Sequence, residues 1–168
     1  MRIPSSLLSP LFIIPTLLGC SSAPTMQAAE QPHDGSLAVC TEIGCVDGLT
    51  IDLSQLSWEP GSYQIDVAAD GDITRCQVTL PLPPCSNPGT SCDGTGVQVG
   101  ESGCALAPSA HSLTELRLVS LPDNVEVTVT RDGAPFASRR FTPNYQVSRP
   151  NGPRCEPECK SANELLAP

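Results

Sequence analysis

Charge and aromatic side chains are both scarce in this sequence. Charged residues make up 16% of its 168 positions, aromatic residues make up 4%, and Lys and Arg together number only 9. Nucleic-acid binding requires clustered cations that neutralise phosphates, and electrostatic docking on anionic lipid requires the same charge. The formal net charge of −9 therefore predicts no nucleic-acid partner and no docking on anionic lipid through basic residues.

Histidine, the commonest general base, is almost absent. His33 lies in a stretch with few apolar residues, and His111 lies in the polar run Ser109–Ser112. We expect both imidazoles to be solvated. The chain has no Gly-x-Ser-x-Gly nucleophile elbow and no Cys-x-x-Cys redox pair. These absences predict a protein that is not an enzyme and that has no catalytic residue, cofactor or resident metal.

The apolar run near the start of the chain is short. It covers Leu7–Leu18 and contains two prolines, whereas a membrane-spanning helix needs about 20 apolar residues. Arg2 precedes this run, and small residues follow it at Gly19 and Cys20. A positive start, an apolar middle and a small-residue cleavage site are typical of an export signal.

The run ends in Leu17-Leu18-Gly19-Cys20, which resembles the bacterial lipobox. This resemblance implies that residues 1–19 are a lipoprotein signal peptide and that acyl chains on Cys20 anchor the protein in a membrane. Ser21 follows, not Asp, which by the sorting rule for such lipoproteins favours the outer membrane. Residues 20–39 would then form an acylated N-terminus and a flexible tether.

Nine cysteines are the strongest signal of a cellular compartment. An exported protein oxidises its thiols to disulfides, whereas a reducing cytosol keeps them free. If Cys20 carries lipid, an even number remains, and we expect four disulfides. The disulfide candidates are Cys40, Cys45, Cys76, Cys85, Cys92, Cys104, Cys155 and Cys159.

From Leu49 onward, apolar and polar residues alternate in short runs, which is the pattern of half-buried strands. The runs lie at 49–53, 63–67, 76–80, 116–118, 125–129 and 141–147. They predict an all-β fold: a disulfide-stapled antiparallel β-sandwich over residues 40–159, which resembles immunoglobulin-like sandwiches in strand rhythm. Residues 160–168 are expected to be a C-terminal tail, with a short helix at Lys160–Leu166.

Turn residues fall between these runs. Asp70-Gly71 and Asp132-Gly133 predict hairpins, because primed turns need positive φ angles. Pro60-Gly61 predicts a type II turn between the first two strands. Residues 83–103 are rich in Pro and Gly and have little periodicity, so we expect a long surface excursion there.

Sequence alone allows 105 pairings of eight cysteines, but the expected strands suggest an arrangement. A Cys76–Cys104 bridge would close the excursion onto the sheet, and Cys85–Cys92 would close a small loop at its base. Cys40 and Cys45 precede the first expected strand, and Cys155 and Cys159 follow the last. If those two strands are antiparallel neighbours, these four cysteines would meet as a double staple of the termini.

Two metal sites are alternatives. The four terminal cysteines could supply thiolates to zinc, although structural zinc sites usually have tighter ligand spacing. Asp66, Asp70 and Asp72 invite a calcium site, but Ala68 stands where that loop needs a ligand, and Gln77 replaces its bidentate Glu.

The tail around Arg149–Cys159 resembles small Cys-rich bacterial lipoproteins of unknown function. The predicted function is a lipid-anchored cell-envelope protein, either a binding or a structural module. Recognition on sandwich scaffolds often lies in long loops, so residues 86–103 are the expected contact region for a protein partner. The alternatives are a calcium- or metal-binding accessory lipoprotein and a small protease-inhibitor-like domain that presents the 85–92 loop.

Overall fold

A computed structural model describes residues 40–168, so the expected signal peptide and tether lie outside the described residues. Ten strands and one short 3₁₀ turn, Pro108–Ala110, occupy this part of the chain, which confirms the all-β prediction. The strands are β1 Gly48–Asp52, β2 Gly61–Ala69, β3 Asp72–Leu80, β4 Thr90–Cys92, β5 Val97–Ser102, β6 Ser112–Leu118, β7 Val125–Arg131, β8 Ala134–Phe141, β9 Gln146–Ser148 and β10 Cys159–Leu165.

The strands form two five-stranded sheets. One has the order β5-β6-β1-β10-β9, and the other has the order β4-β3-β2-β7-β8. Within the described residues, every strand pair is antiparallel except β1 with β10, which runs parallel from Gly48 opposite Ser161 to Asp52 opposite Leu165. The predicted sandwich is therefore present, with one parallel pair inside a largely antiparallel fold.

The core consists of the inward-facing residues of the alternating runs. In β1, Leu49 and Ile51 are fully buried, while Asp52 is exposed. The β2 strand repeats this pattern at Tyr63, Ile65 and Val67. Burying one such side chain stabilises the fold by about 1.5–3 kcal/mol. The alternation that predicts the strands thus also assigns their inner faces.

Both predicted hairpins are present. Asp70 and Gly71, between β2 and β3, have φ angles of 49° and 100°, and Asp132 and Gly133, between β7 and β8, have φ angles of 50° and 81°. Two successive positive φ angles match the right-handed strand twist in a primed turn. The type II turn expected at Pro60-Gly61 is wrong, because Gly61 already belongs to β2 and has no positive φ.

Two secondary-structure predictions are corrected. The expected helix at Lys160–Leu166 is wrong: Cys159–Leu165 is strand β10, which pairs with β1, so the sheet continues past residue 159. The expected excursion over residues 83–103 contains strands β4 and β5. In both places, pairing with a neighbouring strand decides the conformation, which is the usual tertiary override of local propensity.

An aromatic cluster closes one end of the sandwich. Trp58 packs edge-to-face on Tyr63 with ring centroids 4.9 Å apart, and Phe136 lies 5.5 Å from both rings. The Tyr63 hydroxyl donates to the Glu59 carbonyl at 2.8 Å and accepts from the Glu59 N–H at 3.1 Å. These contacts fix the loop that joins β1 to β2.

Candidate functional site

All eight cysteines of the described chain form disulfides, as the sequence predicts. The terminal cysteines meet as the expected double staple, Cys40–Cys155 and Cys45–Cys159. The expected reason is wrong: the neighbour of β1 is not the strand before Cys155 but β10, which begins at Cys159 and runs parallel to β1. The cysteines precede or open β1 and β10, and parallel strands begin at the same end of a sheet. We call this end, defined by the two disulfides, the clamped end.

A single amide reinforces the clamped end. The Asn151 Oδ1 accepts the Ile43 N–H at 3.0 Å, and its Nδ2 donates to the carbonyls of Ile43 at 2.9 Å and Glu156 at 2.7 Å. The Asp47 carboxylate accepts the N–H of Lys160 at 2.6 Å. The two chain segments that enter β1 and β10 are thus joined by hydrogen bonds as well as by sulfur.

The other two predicted pairings are wrong. Cys76 bonds to Cys92, not Cys104, and Cys85 bonds to Cys104, not Cys92. Cys76 on β3 stands directly opposite Cys92 on β4 in the sheet register, and the two Cα atoms are 4.0 Å apart. The unrecognised strand β4 therefore accounts for the exchange. Because these cysteines are oxidised, as are those at the clamped end, the thiolates that a zinc site needs are not present.

Residues 86–103, the expected contact region, link the edges of both sheets. Strand β4 is the edge of one sheet, and β5 is the edge of the other. The Glu101 carboxylate on β5 accepts a hydrogen bond from Thr90 Oγ1, at the start of β4, at 2.6 Å. It also accepts the N–H of Gly89, just before β4, at 3.3 Å. Ser86, Asn87 and Pro88 remain exposed. This segment is held at both strands, with a short exposed turn at its start.

Two of the three carboxylates considered for calcium, those of Asp66 and Asp70, hydrogen-bond within the protein, and the Asp72 residue is exposed at the start of β3. Asp66 accepts from Arg75 Nε at 2.9 Å. Asp70 accepts the backbone N–H groups of Asp123 and Asn124 at 3.0 and 2.9 Å, and so joins the β2–β3 hairpin to the β6–β7 loop. Among residues 40–168, no group of three His, Cys, Asp or Glu side chains is placed to hold a metal ion.

His111, expected to be solvated, is buried and only 8% exposed. It follows the 3₁₀ turn and precedes β6. The turn brings the Leu106 carbonyl to 3.3 Å from Nε2. The polar neighbours in sequence gave no sign of this burial, because packing beyond the local run covers the ring. His33 lies outside the described residues.

A groove that the sequence did not indicate crosses the far ends of β1, β6 and β10, and its volume is about 790 Å³. Carboxylates of Asp52, Glu115 and Glu164 line it together with one guanidinium, that of Arg139. The Ser54 N–H donates to Asp52 at 2.7 Å, and hydrogen bonds from Ser54 lower the pKa of that carboxyl. The charged side chains of the groove are therefore mainly acidic.

Comparisons with known proteins assign no relative. No family model matches the chain, and neither a curated protein nor a solved structure matches it. Within residues 40–168, no helix is both long and apolar enough to cross a membrane.

Proposed function

We propose that this protein is a lipid-anchored module of the bacterial cell envelope, exported through the signal at residues 1–19 and held in the outer membrane by acyl chains on Cys20. The observation that carries the proposal is cysteine parity. Every cysteine in residues 40–168 has a disulfide partner within that range, which leaves Cys20 as the ninth. Its position after Leu17-Leu18-Gly19 is the position that lipidation requires.

The disulfide-locked sandwich supports a non-enzymatic role in binding or structure. Four bridges are typical of proteins in an oxidising compartment. Disulfides keep the surface of an exported domain in one conformation. The segment at residues 86–103 is held in this manner by Cys76–Cys92 and Cys85–Cys104. The module would present this surface while the lipid keeps it at the membrane.

Intact-mass spectrometry of the native protein tests the anchor and the bridges together. We expect a mature mass that begins at Cys20 and includes acyl chains. We also expect no alkylation before reduction and eight alkylated cysteines after it, one for each half of the four disulfides. A mature chain without lipid would refute the anchor, and alkylation of unreduced protein would refute the complete set of bridges.

We further propose that a protein partner contacts the exposed start of the segment at residues 86–103. Replacing Ser86 and Asn87 with Arg adds bulk and charge to a turn outside the strands, so folding should be unaffected. Cross-linking in intact cells should then lose the partner's band. The same double change at Ser138 and Thr128, on the outer face of β7 and β8, is the matched control. An unchanged cross-linking pattern would remove residues 86–88 from the interface.

A further inference from the structure

One side-chain amide at the clamped end has partners that fix its chemistry. The Asn151 Oδ1 accepts hydrogen bonds from the Ile43 N–H at 3.0 Å and from the Thr41 hydroxyl. Its Nδ2 donates to the carbonyls of Ile43 at 2.9 Å and Glu156 at 2.7 Å. A backbone N–H only donates and a carbonyl only accepts, so this position needs an acceptor and two donors on one side chain. A carboxamide provides both, whereas an ionised carboxylate only accepts.

The residue that follows makes this amide chemically reactive. Asn151 precedes Gly152, and this is the only Asn-Gly pair in the sequence. Glycine has no side chain to obstruct its own backbone nitrogen, so an asparagine before glycine deamidates faster than one before a bulkier residue. The φ angle of Gly152 is 98°, a conformation that favours glycine. The turn therefore requires the residue that makes Asn151 reactive.

Deamidation here needs only water as a co-reactant. The Gly152 nitrogen attacks Cγ of Asn151, the bond from Cγ to Nδ2 breaks, and the proton of the Gly152 N–H leaves with that nitrogen as ammonia. The product is a cyclic imide between the two residues. Water then opens the imide at either carbonyl and gives aspartate or isoaspartate, and nothing is oxidised or reduced.

The clamped end opposes the first step of this reaction. Ring closure requires the face of the Asn151 amide to turn toward the Gly152 nitrogen, and four hydrogen bonds resist that rotation. The Gly152 N–H is also engaged, because it donates to the Arg149 carbonyl at 3.0 Å. Residues 41–43 supply three of the four partners, and they lie between two cysteines that are bridged to Cys155 and Cys159. The bridges thus keep the partners of the amide in place.

We propose that Asn151 is a deamidation site that is protected while the clamped end is closed and that reacts when the Cys40–Cys155 bridge is lost. The product places a carboxylate against the carbonyls of Ile43 and Glu156, which lose their donors, so the original contacts cannot form again. Because the ammonia is lost, a chain that has once opened stays marked. The inference concerns the domain alone and does not rest on the lipid anchor.

Peptide mass spectrometry measures the protection directly. The oxidised full-length protein would be incubated in mildly alkaline buffer, beside a reduced sample unfolded in urea, and conversion of Asn151 would be followed with time. We expect deamidation to be at least about tenfold slower in the folded protein, because the open conformation must first give up several hydrogen bonds. Equal rates in the two samples would overturn the proposed protection.

Two disulfide variants separate local opening from global unfolding. Cys40→Ala with Cys155→Ala releases the segment that holds Asn151, whereas Cys76→Ala with Cys92→Ala removes a bridge elsewhere in the sandwich. We expect a several-fold faster deamidation of Asn151 in the first variant and little change in the second. Equal acceleration in both would show that Asn151 reacts through global unfolding, which would refute the role of the clamped end.

Thr41→Val keeps both bridges and serves if the first disulfide variant does not fold, as judged by near-ultraviolet circular dichroism. It removes one of the hydrogen bonds to Oδ1, so Asn151 should deamidate faster than in the original protein, by a smaller factor than after loss of the bridge. An unchanged rate in both folded variants would contradict protection by the contacts of the amide.

Asn151→Asp reproduces the product and tests its effect on the clamped end. The equilibrium constant for urea unfolding should rise at least about tenfold, because two carbonyls lose their donors. Asn144→Asp, at an exposed position between β8 and β9, is the matched control and should change this constant much less. Equal effects of the two substitutions would contradict the inference that deamidation weakens the clamped end.

Discussion

Replacing Cys20 with serine is expected to abolish labelling of the protein with fatty acid and to leave the signal peptide uncleaved. The serine hydroxyl cannot form the thioether to diacylglycerol, so neither the lipid nor the cleavage that follows it is expected. Each buried methylene contributes about 0.8 kcal/mol to membrane binding, and even a single acyl chain anchors only marginally. Without lipid, the domain itself has no other anchor in this proposal, since basic residues for anionic lipid are too few, and only the uncleaved apolar run Leu7–Leu18 could hold the variant at the membrane.

Cell fractionation with labelled fatty acid measures this effect. The original protein should carry label and have the mature size, whereas Cys20→Ser should do neither. Ser22→Ala, two residues away, is the matched control and should retain both properties. Ser21→Asp should keep the label but move the protein to the inner membrane, which tests the outer-membrane assignment separately. A Cys20→Ser protein that carries label or has the mature size would contradict the anchor.

Removing both disulfides of the clamped end should cost far more stability than removing either one. Cys40–Cys155 and Cys45–Cys159 close loops with sequence separations of 115 and 114 residues. With one bridge intact, the other restrains only the short segments between the paired cysteines. By loop-closure entropy, the first removal costs about 3 kcal/mol and the second about 5 kcal/mol.

Urea unfolding of alanine variants tests this inequality. The single pair Cys45→Ala with Cys159→Ala should lower the unfolding free energy by about 3 kcal/mol, and removing the second bridge as well should lower it by about 8 kcal/mol in total. The control is removal of Cys76–Cys92, which has a sequence separation of 16 residues. It should lower the unfolding free energy by about 3 kcal/mol. If the first and second removals lowered the unfolding free energy equally, the two terminal bridges would restrain the unfolded chain independently, which would contradict this prediction.

Part of this fold could be predicted because local chemistry and tertiary structure agree. Asp70-Gly71 and Asp132-Gly133 specify tight hairpins by backbone conformation alone. The alternation around Ile65 and Val127 assigns the strands and their buried faces. Cysteine parity predicted that every cysteine after Cys20 is bridged, although it could not identify the partners.

The failures occur where a neighbouring strand decides the structure. Thr90–Cys92 is too short to show a period, and its pairing with β3 then determines the partner of Cys76. Cys159–Leu165 contains helix-forming Lys, Ala, Glu and Leu, yet β1 provides a ladder that holds it extended. The burial of His111 depends on contacts distant in sequence, so its polar flanks were misleading.

The order of covalent links at the clamped end has a mechanical consequence. If the proposed lipid anchor is present, a pull on it would reach the domain at Cys40 and pass through sulfur into Cys155, before it could act on the hydrogen bonds of β1. A second covalent path runs from Cys45 to Cys159 at the start of β10. Tension applied at the start of the domain would therefore be carried by covalent bonds, and the β1–β10 ladder would be protected from strand separation.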